Sequence, residues 1–290
     1  MKQELKAVKE VNTDIKVVPI TFGDHSLKLK GKVLLPGAAG TDSQVPGAVL
    51  CHGFGASHKA MVSSAKIMAK QGIAVMVFDF RGHGESEGAV DGEIVDDILD
   101  AWNTLKRFPQ IDKDRMGLIG HSLGAMSAII AAEKADPRVL VALSCPPQVN
   151  RETYPEMPDN FGQWGSRNSS IMDFPRQGAF PWLKGTAAFL SRVWMYIFGY
   201  RVRVDLKKFF SGIMQMNMIE VLQKLDDCSK LFVYCKGDSI TPYDKCVPVY
   251  RAACEPKLKL VAKGGFHTTP LMRGQLRSQW TSWVVTKLTD

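Results

Sequence analysis

The chain has 290 residues, 45% of them hydrophobic and 23% charged, which is the composition of a globular protein with a sizeable core and excludes a disordered or fibrous chain. The formal net charge of +8 is scattered, with residues 201–210 (RVRVDLKKFF) its only local concentration, and no nucleic-acid motif accompanies it, so no nucleic-acid partner is expected. The charged amino-terminal segment lacks a signal peptide's apolar run, and no later stretch approaches the roughly 18 apolar residues of a membrane span, so a cytoplasmic protein without an integral membrane segment is expected. The six cysteines never take the C-x-x-C spacing of a zinc or redox site, and neither a metal nor a cofactor is anticipated.

In chain order, residues 15–22 and 27–36 alternate apolar and polar side chains like antiparallel strands. Residues 47–51, 73–80, 116–120 and 139–145 are continuous apolar runs, expected of strands buried on both faces. Helical patterns separate them at 58–72, 92–108 and 122–135. Strand and helix in alternation imply a parallel, doubly wound sheet. The pattern breaks after Cys145 and resumes with a strand at 230–235, a helix near 242–254, a strand at 257–262 and a closing helix near 270–288. Residues 150–226 hold 13 of the chain's 26 aromatic residues, too many for an unstructured linker, and are expected to form a packed cap inserted into one domain made of residues 1–149 and 227–290.

At the join of the strand at 116–120 with the following helix stands Gly120-His121-Ser122-Leu123-Gly124. A strand that turns into a helix within two residues strains its central residue, exposes that side chain and brings neighbouring backbone so close that only glycine fits two positions away. The sequence therefore fits the G-x-S-x-G nucleophile elbow, with the hydroxyl at a helix amino end. A serine hydroxyl needs a base, and the base needs a carboxylate to fix its tautomer. Asp238 follows the strand at 230–235, and His267 lies in a glycine-rich loop after the last strand, giving the order serine, acid, histidine. Asp244 lies inside the next helix, while Asp226 and Asp227 precede the strand at its wrong end. His25, His52, His58, His83 and His121 all come before the acid. Residues 51–60 (CHGFGASHKA) lack the third glycine of a dinucleotide loop and the G-K-[ST] of a nucleotide site. They suit an oxyanion hole, with the backbone N–H groups of Phe54 and Leu123 as donors.

The stretches HGFGAS (52–57), DFRGHGES (79–86), IDKDRMGLIGHSLGA (111–125), GDSITP (237–242) and GGFH (264–267) together resemble the α/β-hydrolase superfamily, most closely its capped serine esterases of the cinnamoyl/feruloyl esterase and monoacylglycerol lipase kinds. The resemblance implies the α/β-hydrolase fold, a mostly parallel doubly wound sheet of about eight strands with an inserted, largely helical cap. It implies Ser122 as nucleophile, Asp238 as acid, His267 as base, and Phe54 with Leu123 as oxyanion donors. Arg81, His83 and Glu85 are expected to be structural.

The function expected is hydrolysis of a small-molecule carboxylic ester through an acyl-enzyme, with Phe54, His121, Trp182, Trp194 and Phe198 as candidate pocket residues. A thioesterase, an aminopeptidase using Glu152 and Glu156 to hold the substrate amine, and a non-catalytic binder of the same fold are the alternatives. Arg201, Arg203, Lys207 and Lys208 are either a solvated face or a site for acyl-CoA phosphates.

Overall fold

A computed structural model describes residues 14–23, 27–149, 172–174 and 202–290. The chain opens with an antiparallel pair, β1 (Ile15–Phe22) and β2 (Leu29–Pro36). Strands and helices then alternate through β3 (Val45–Cys51), α1 (Val62–Lys70), β4 (Ala74–Phe78), α2 (Ile94–Lys106), β5 (Ile111–His121), α3 (Leu123–Ala135) and β6 (Val139–Leu143). A short ladder of β7 (Met172–Phe174) with β8 (Val202–Val204) precedes the helices α4 (Leu206–Gln215) and α5 (Met218–Leu222). The chain closes with β9 (Ser229–Cys235), α6 (Tyr243–Ala252), β10 (Lys257–Ala262), α7 (Thr269–Met272) and α8 (Gly274–Thr289).

Eight strands form one sheet in the order β1-β2-β4-β3-β5-β6-β9-β10, in which β2 runs antiparallel to both neighbours and every other pairing is parallel. The continuous apolar runs have the meaning expected of them: successive side chains of β4 enter different cores. Met76 and Phe78 pack with α2 and α3 on one face, whereas Val75 and Val77 pack with Met68 of α1 and Trp280 of α8 on the other. The eight-stranded, mostly parallel sheet covered on both faces by helices is the α/β-hydrolase fold.

The ladder and helices after Val202 are built into this body. The Arg203 N–H donates to the Gly82 carbonyl at 2.7 Å, and the Arg203 carbonyl accepts from Val90 N–H at 2.7 Å. Val202, Val204, Phe209, Met218 and Leu222 are buried in the same apolar cluster as the strand residues. The loop they grip is stiffened from within by Arg81, whose guanidinium reaches Asp97 at 2.8 Å and both Asp91 and Glu93 at 3.0 Å. Of the segment 150–226, residues 150–171 and 175–201 lie outside the described residues.

Helix α3 is buried along most of its length, and Ala125, Ala128, Ala131 and Ala132 keep its packed surface thin. At its first turn there is no room even for alanine. A Cβ on Gly124 would stand 2.5 Å from the carbonyl oxygens of Cys51 and His52, and one on Gly120 would collide with the Gly124 carbonyl. Because these obstacles are backbone atoms, Gly124→Ala is expected to cost about 1–3 kcal/mol of stability, the usual range for overpacking. Gly264→Ala, whose Cβ meets nothing within 4 Å, is the matched control and should stay within about 0.5 kcal/mol. Urea midpoints of the two variants measure the difference.

Candidate active site

Ser122 occupies the link between β5 and α3 with φ 55° and ψ −119°, a left-handed conformation costing a non-glycine residue about 1–3 kcal/mol. Its N–H donates to the Leu143 carbonyl at 2.9 Å, and its own carbonyl accepts from Ala125 at 2.9 Å and Met126 at 3.1 Å, so the strained residue is tied to both β6 and the helix. Gly53 stands opposite: a Cβ there would come within 3.1 Å of Ser122 Cβ. The serine is thereby held at the helix amino end beside the loop after β3.

The carboxyl ends of β9 and β10 bring the acid and histidine together. His267 Nδ1–H donates to Asp238 Oδ2 at 2.8 Å, with the carboxylate buried and the imidazole side chain 13% exposed. Burial alone would raise the Asp238 pKa. The bonds from His267 and Thr241 outweigh it and hold the value at about 2. Asp238 Oδ1 accepts from the N–H groups of Ile240 and Thr241, both at 2.9 Å, and Oδ2 accepts the Thr241 hydroxyl at 2.5 Å.

The His267 loop is tied to the elbow through its main chain. The His267 carbonyl accepts from Ser144 Oγ and from His121 Nε2–H, each at 3.0 Å, and the His121 and His267 rings lie 4.9 Å apart. Between the described residues Ser122 and His267 themselves no hydrogen bond is formed. Such bonds are often long without substrate and tighten in the complex.

The loop after β3 rests on two buried histidines. His52 donates Nδ1–H to the Gly53 carbonyl at 2.8 Å and accepts the Phe80 N–H at Nε2 at 3.1 Å. His83 donates Nδ1–H to the Arg81 carbonyl at 3.1 Å and accepts the Gly55 N–H at Nε2 at 3.0 Å. Each ring faces one acceptor and one donor, so each must be neutral; a second proton would oppose an N–H. Burial depresses the His83 pKa to about 3 and that of His121 to about 4, and it lowers that of His52. On this support the Phe54 N–H and the Leu123 N–H, the latter at the start of its helix, have no backbone acceptor among the described residues.

The structure thus brings Ser122, Asp238, His267, Phe54 and Leu123 to one rim of the sheet. Phe54, 40% exposed, stacks on Phe209 of α4 with ring centroids 5.3 Å apart, so Phe209 joins the wall expected from Phe54. His121 departs from the reading as a pocket residue. At 4% exposure, with Nε2–H spent on the His267 carbonyl, it lies beneath the site and presents no surface to a ligand. Trp182, Trp194 and Phe198 lie outside the described residues. Thr241 and Ser144 were not anticipated from the sequence, although Thr241 three residues after Asp238 is the spacing of a side-chain-capped turn. Among the described residues no group of three His, Cys, Asp or Glu side chains is placed to hold a metal, and no helix is long and apolar enough to cross a membrane.

Residues 46–176 match the family model described as serine aminopeptidase, S33. The chain is 36% identical over 144 residues to a protein of Aspergillus aculeatus named thiohydrolase aneE, a match covering 47% of this chain and 43% of that protein, so it spans less than half the length of this curated relative. Among solved structures, the α/β hydrolase GrgF from Penicillium sp. sh18 superposes with a TM-score of 0.73 at 17% identity, over 95% of this chain and 100% of that one. Est1E from Butyrivibrio proteoclasticus, with ferulic acid bound, superposes with a TM-score of 0.69 at 15% identity, over 93% and 100% of the two chains.

The buried histidines make acid stability measurable. An unfolded histidine titrates near 6.5, whereas folded His83 does so at about 3 and His121 at about 4. Between those values the unfolded chain binds more protons, so stability is complete above about pH 7 and is lost as pH falls toward 4. In His83→Gln, whose amide oxygen can accept the Gly55 N–H, the pH dependence of the urea midpoint should be shallower by about one proton. An unchanged slope would mean that His83 is not held neutral.

Proposed function

We propose that this chain, an α/β-hydrolase by fold, is a serine hydrolase that cleaves carboxylic esters through an acyl-enzyme. The observation that carries the reading is the His267–Asp238 bond, formed to a carboxylate held ionised and standing at the same rim as a strained serine at a helix amino end. Ser122 Oγ attacks the ester carbonyl while His267 Nε2 takes its proton. Asp238, in contact with Nδ1–H, fixes the tautomer and stabilises the imidazolium. The carbonyl oxygen gains negative charge in front of the Phe54 and Leu123 N–H groups, each such donor being worth about 3–4 kcal/mol. The alcohol leaves with the proton carried by His267. A water molecule, deprotonated by the same imidazole, then attacks the acyl carbonyl and releases the acid, restoring Ser122.

A thioester substrate is the second reading, favoured by the thiohydrolase name of the Aspergillus aculeatus relative. A thioester needs the same nucleophile, base and oxyanion donors, so the two readings divide on the leaving group alone. The aminopeptidase reading relied on Glu152 and Glu156, which lie outside the described residues. A pure binder would have no use for a strained elbow whose conformation lowers stability.

Ser122→Ala is expected to lower kcat on a p-nitrophenyl ester by about 10⁴–10⁶-fold while leaving the circular dichroism spectrum unchanged. A fluorophosphonate should label the native chain at Ser122 and spare the variant; a folded native chain that resists labelling defeats the proposal. Oxygen ester and thioester of one acyl group, compared by kcat/KM, assign the leaving group.

The reaction should also fail in acid, because an imidazole accepts the serine proton only when neutral. Asp238, at about 2, stays ionised well into the acid range, so an acid limb of kcat/KM is expected from a histidine base and not from the carboxylate. A profile flat down to about pH 5 contradicts a histidine base.

A further inference from the structure

Among the described residues, Thr241 is the side chain that reaches both Asp238 and His267. It is 3% exposed, its hydroxyl donates to Asp238 Oδ2 at 2.5 Å, and the same oxygen lies 3.3 Å from His267 Nδ1. Its N–H donates to the other carboxylate oxygen, Oδ1, at 2.9 Å. Thr241 in turn is fixed by the start of α6, where Lys245 and Cys246 N–H donate to the adjacent Pro242 carbonyl at 3.0 and 3.2 Å.

We propose that Thr241 is a positioning residue of the serine-hydrolase site, its hydroxyl locking the Asp238 carboxylate in the plane that aims His267. The inference rests on the function proposed above. Rotation of a carboxylate about its terminal bond is soft, with broad rather than staggered minima. Two backbone N–H groups hold Oδ1. Without Thr241, Oδ2 would be held by His267 alone, which itself depends on Asp238 for its orientation. The hydroxyl supplies the outside anchor that breaks this circularity. Its lone pair also faces Nδ1, so turning the imidazole away from Oδ2 loses two contacts together.

The hydroxyl has an electrostatic consequence with a definite sign. It donates to the oxygen that faces the imidazole, and so withdraws part of the negative charge that stabilises the imidazolium. Removing it leaves the carboxylate more basic and the imidazolium better stabilised. The acid limb of kcat/KM should therefore move to higher pH, which loss of packing alone would not cause.

The experiment compares Thr241→Val, Thr241→Ala and Thr241→Ser in the full chain, assayed on a p-nitrophenyl ester across pH. One-dimensional proton spectra follow the downfield Nδ1–H resonance of His267. Val and Ala are expected to lower kcat by roughly tenfold, the worth of one hydrogen bond to a charged group. KM should be little changed, the acid limb should rise and the resonance should shift, while Ser keeps native values. Native kcat, limb and resonance in either hydroxyl-free variant that folds overturn the proposal, as does a Ser variant as impaired as Val. If the native chain neither hydrolyses esters nor reacts with fluorophosphonate, the functional reading falls, and the resonance still decides whether Thr241 orients the pair.

Discussion

The close crossing of α3 over the carboxyl end of β3 is the constraint on which the rest of the site depends. Gly124 has the carbonyls of Cys51 and His52 where a Cβ would stand, and Gly120 has Gly124 itself. Both obstacles are main-chain atoms, not side chains that could swing aside. This proximity forces Ser122 into its left-handed conformation and sets the helix amino end, with its unpaired N–H groups, beside the loop bearing Phe54. The strained serine and the helix amino end beside the Phe54 loop are thus consequences of one packing contact. The strain at Ser122, about 1–3 kcal/mol, is offset by the burial of an alanine-rich helix against the central strands.

The second constraint is electrical neutrality beneath the site. His52, His83 and His121 are buried: His52 spends both ring nitrogens on Gly53 and Phe80, His83 both on Gly55 and Arg81, and His121 binds the His267 carbonyl through Nε2–H. A second proton on His52 or His83 would oppose an N–H and break one of these bonds. Burial therefore favours the neutral ring at all three, whereas the His267 side chain, 13% exposed, stands at the edge of the site.

Much of the fold was legible because buried parallel strands leave continuous apolar runs; β4, β6 and β9 lie within about two residues of their expected ends. β5 starts at Ile111, earlier than its apolar core, because Asp112 and Arg115 pair with each other at 2.7 Å and allow a polar stretch to remain extended. The helix expected from 58 to 72 is divided into a 3₁₀ turn at His58–Ala60 and α1, since Asp79 accepts both the N–H and the ring of His58 and fixes the chain there. The glycine and strand context that singled out Ser122, Asp238 and His267 agrees with the strained turn at Ser122 and with the His267–Asp238 bond. Ser144 was not legible, for its partner is 123 residues away and nothing near it in sequence records the contact. His121 was misread as a pocket residue for the same reason: proximity to the nucleophile in sequence says nothing about which side of the sheet's rim its ring occupies.

The acid and base loops meet by the same steric logic as the elbow. A Cβ on Gly237 would stand 2.6 Å from the Gly265 carbonyl, so the loop before Asp238 and the loop before His267 touch main chain to main chain. Gly265 has φ 113°, and a side chain there would press on Thr269, whose Oγ1 accepts the Phe266 N–H at 2.7 Å. The two loops are consequently positioned by main-chain contact with each other and, after His267, by the Thr269 hydroxyl. A carboxylate saturated by two N–H groups, a hydroxyl and an imidazole has one orientation left to it, and a base hydrogen-bonded to that carboxylate inherits it. What remains adjustable is the approach of His267 Nε2 to Ser122 Oγ. That approach lies between two loops already joined by the bond from His121 Nε2–H to the His267 carbonyl.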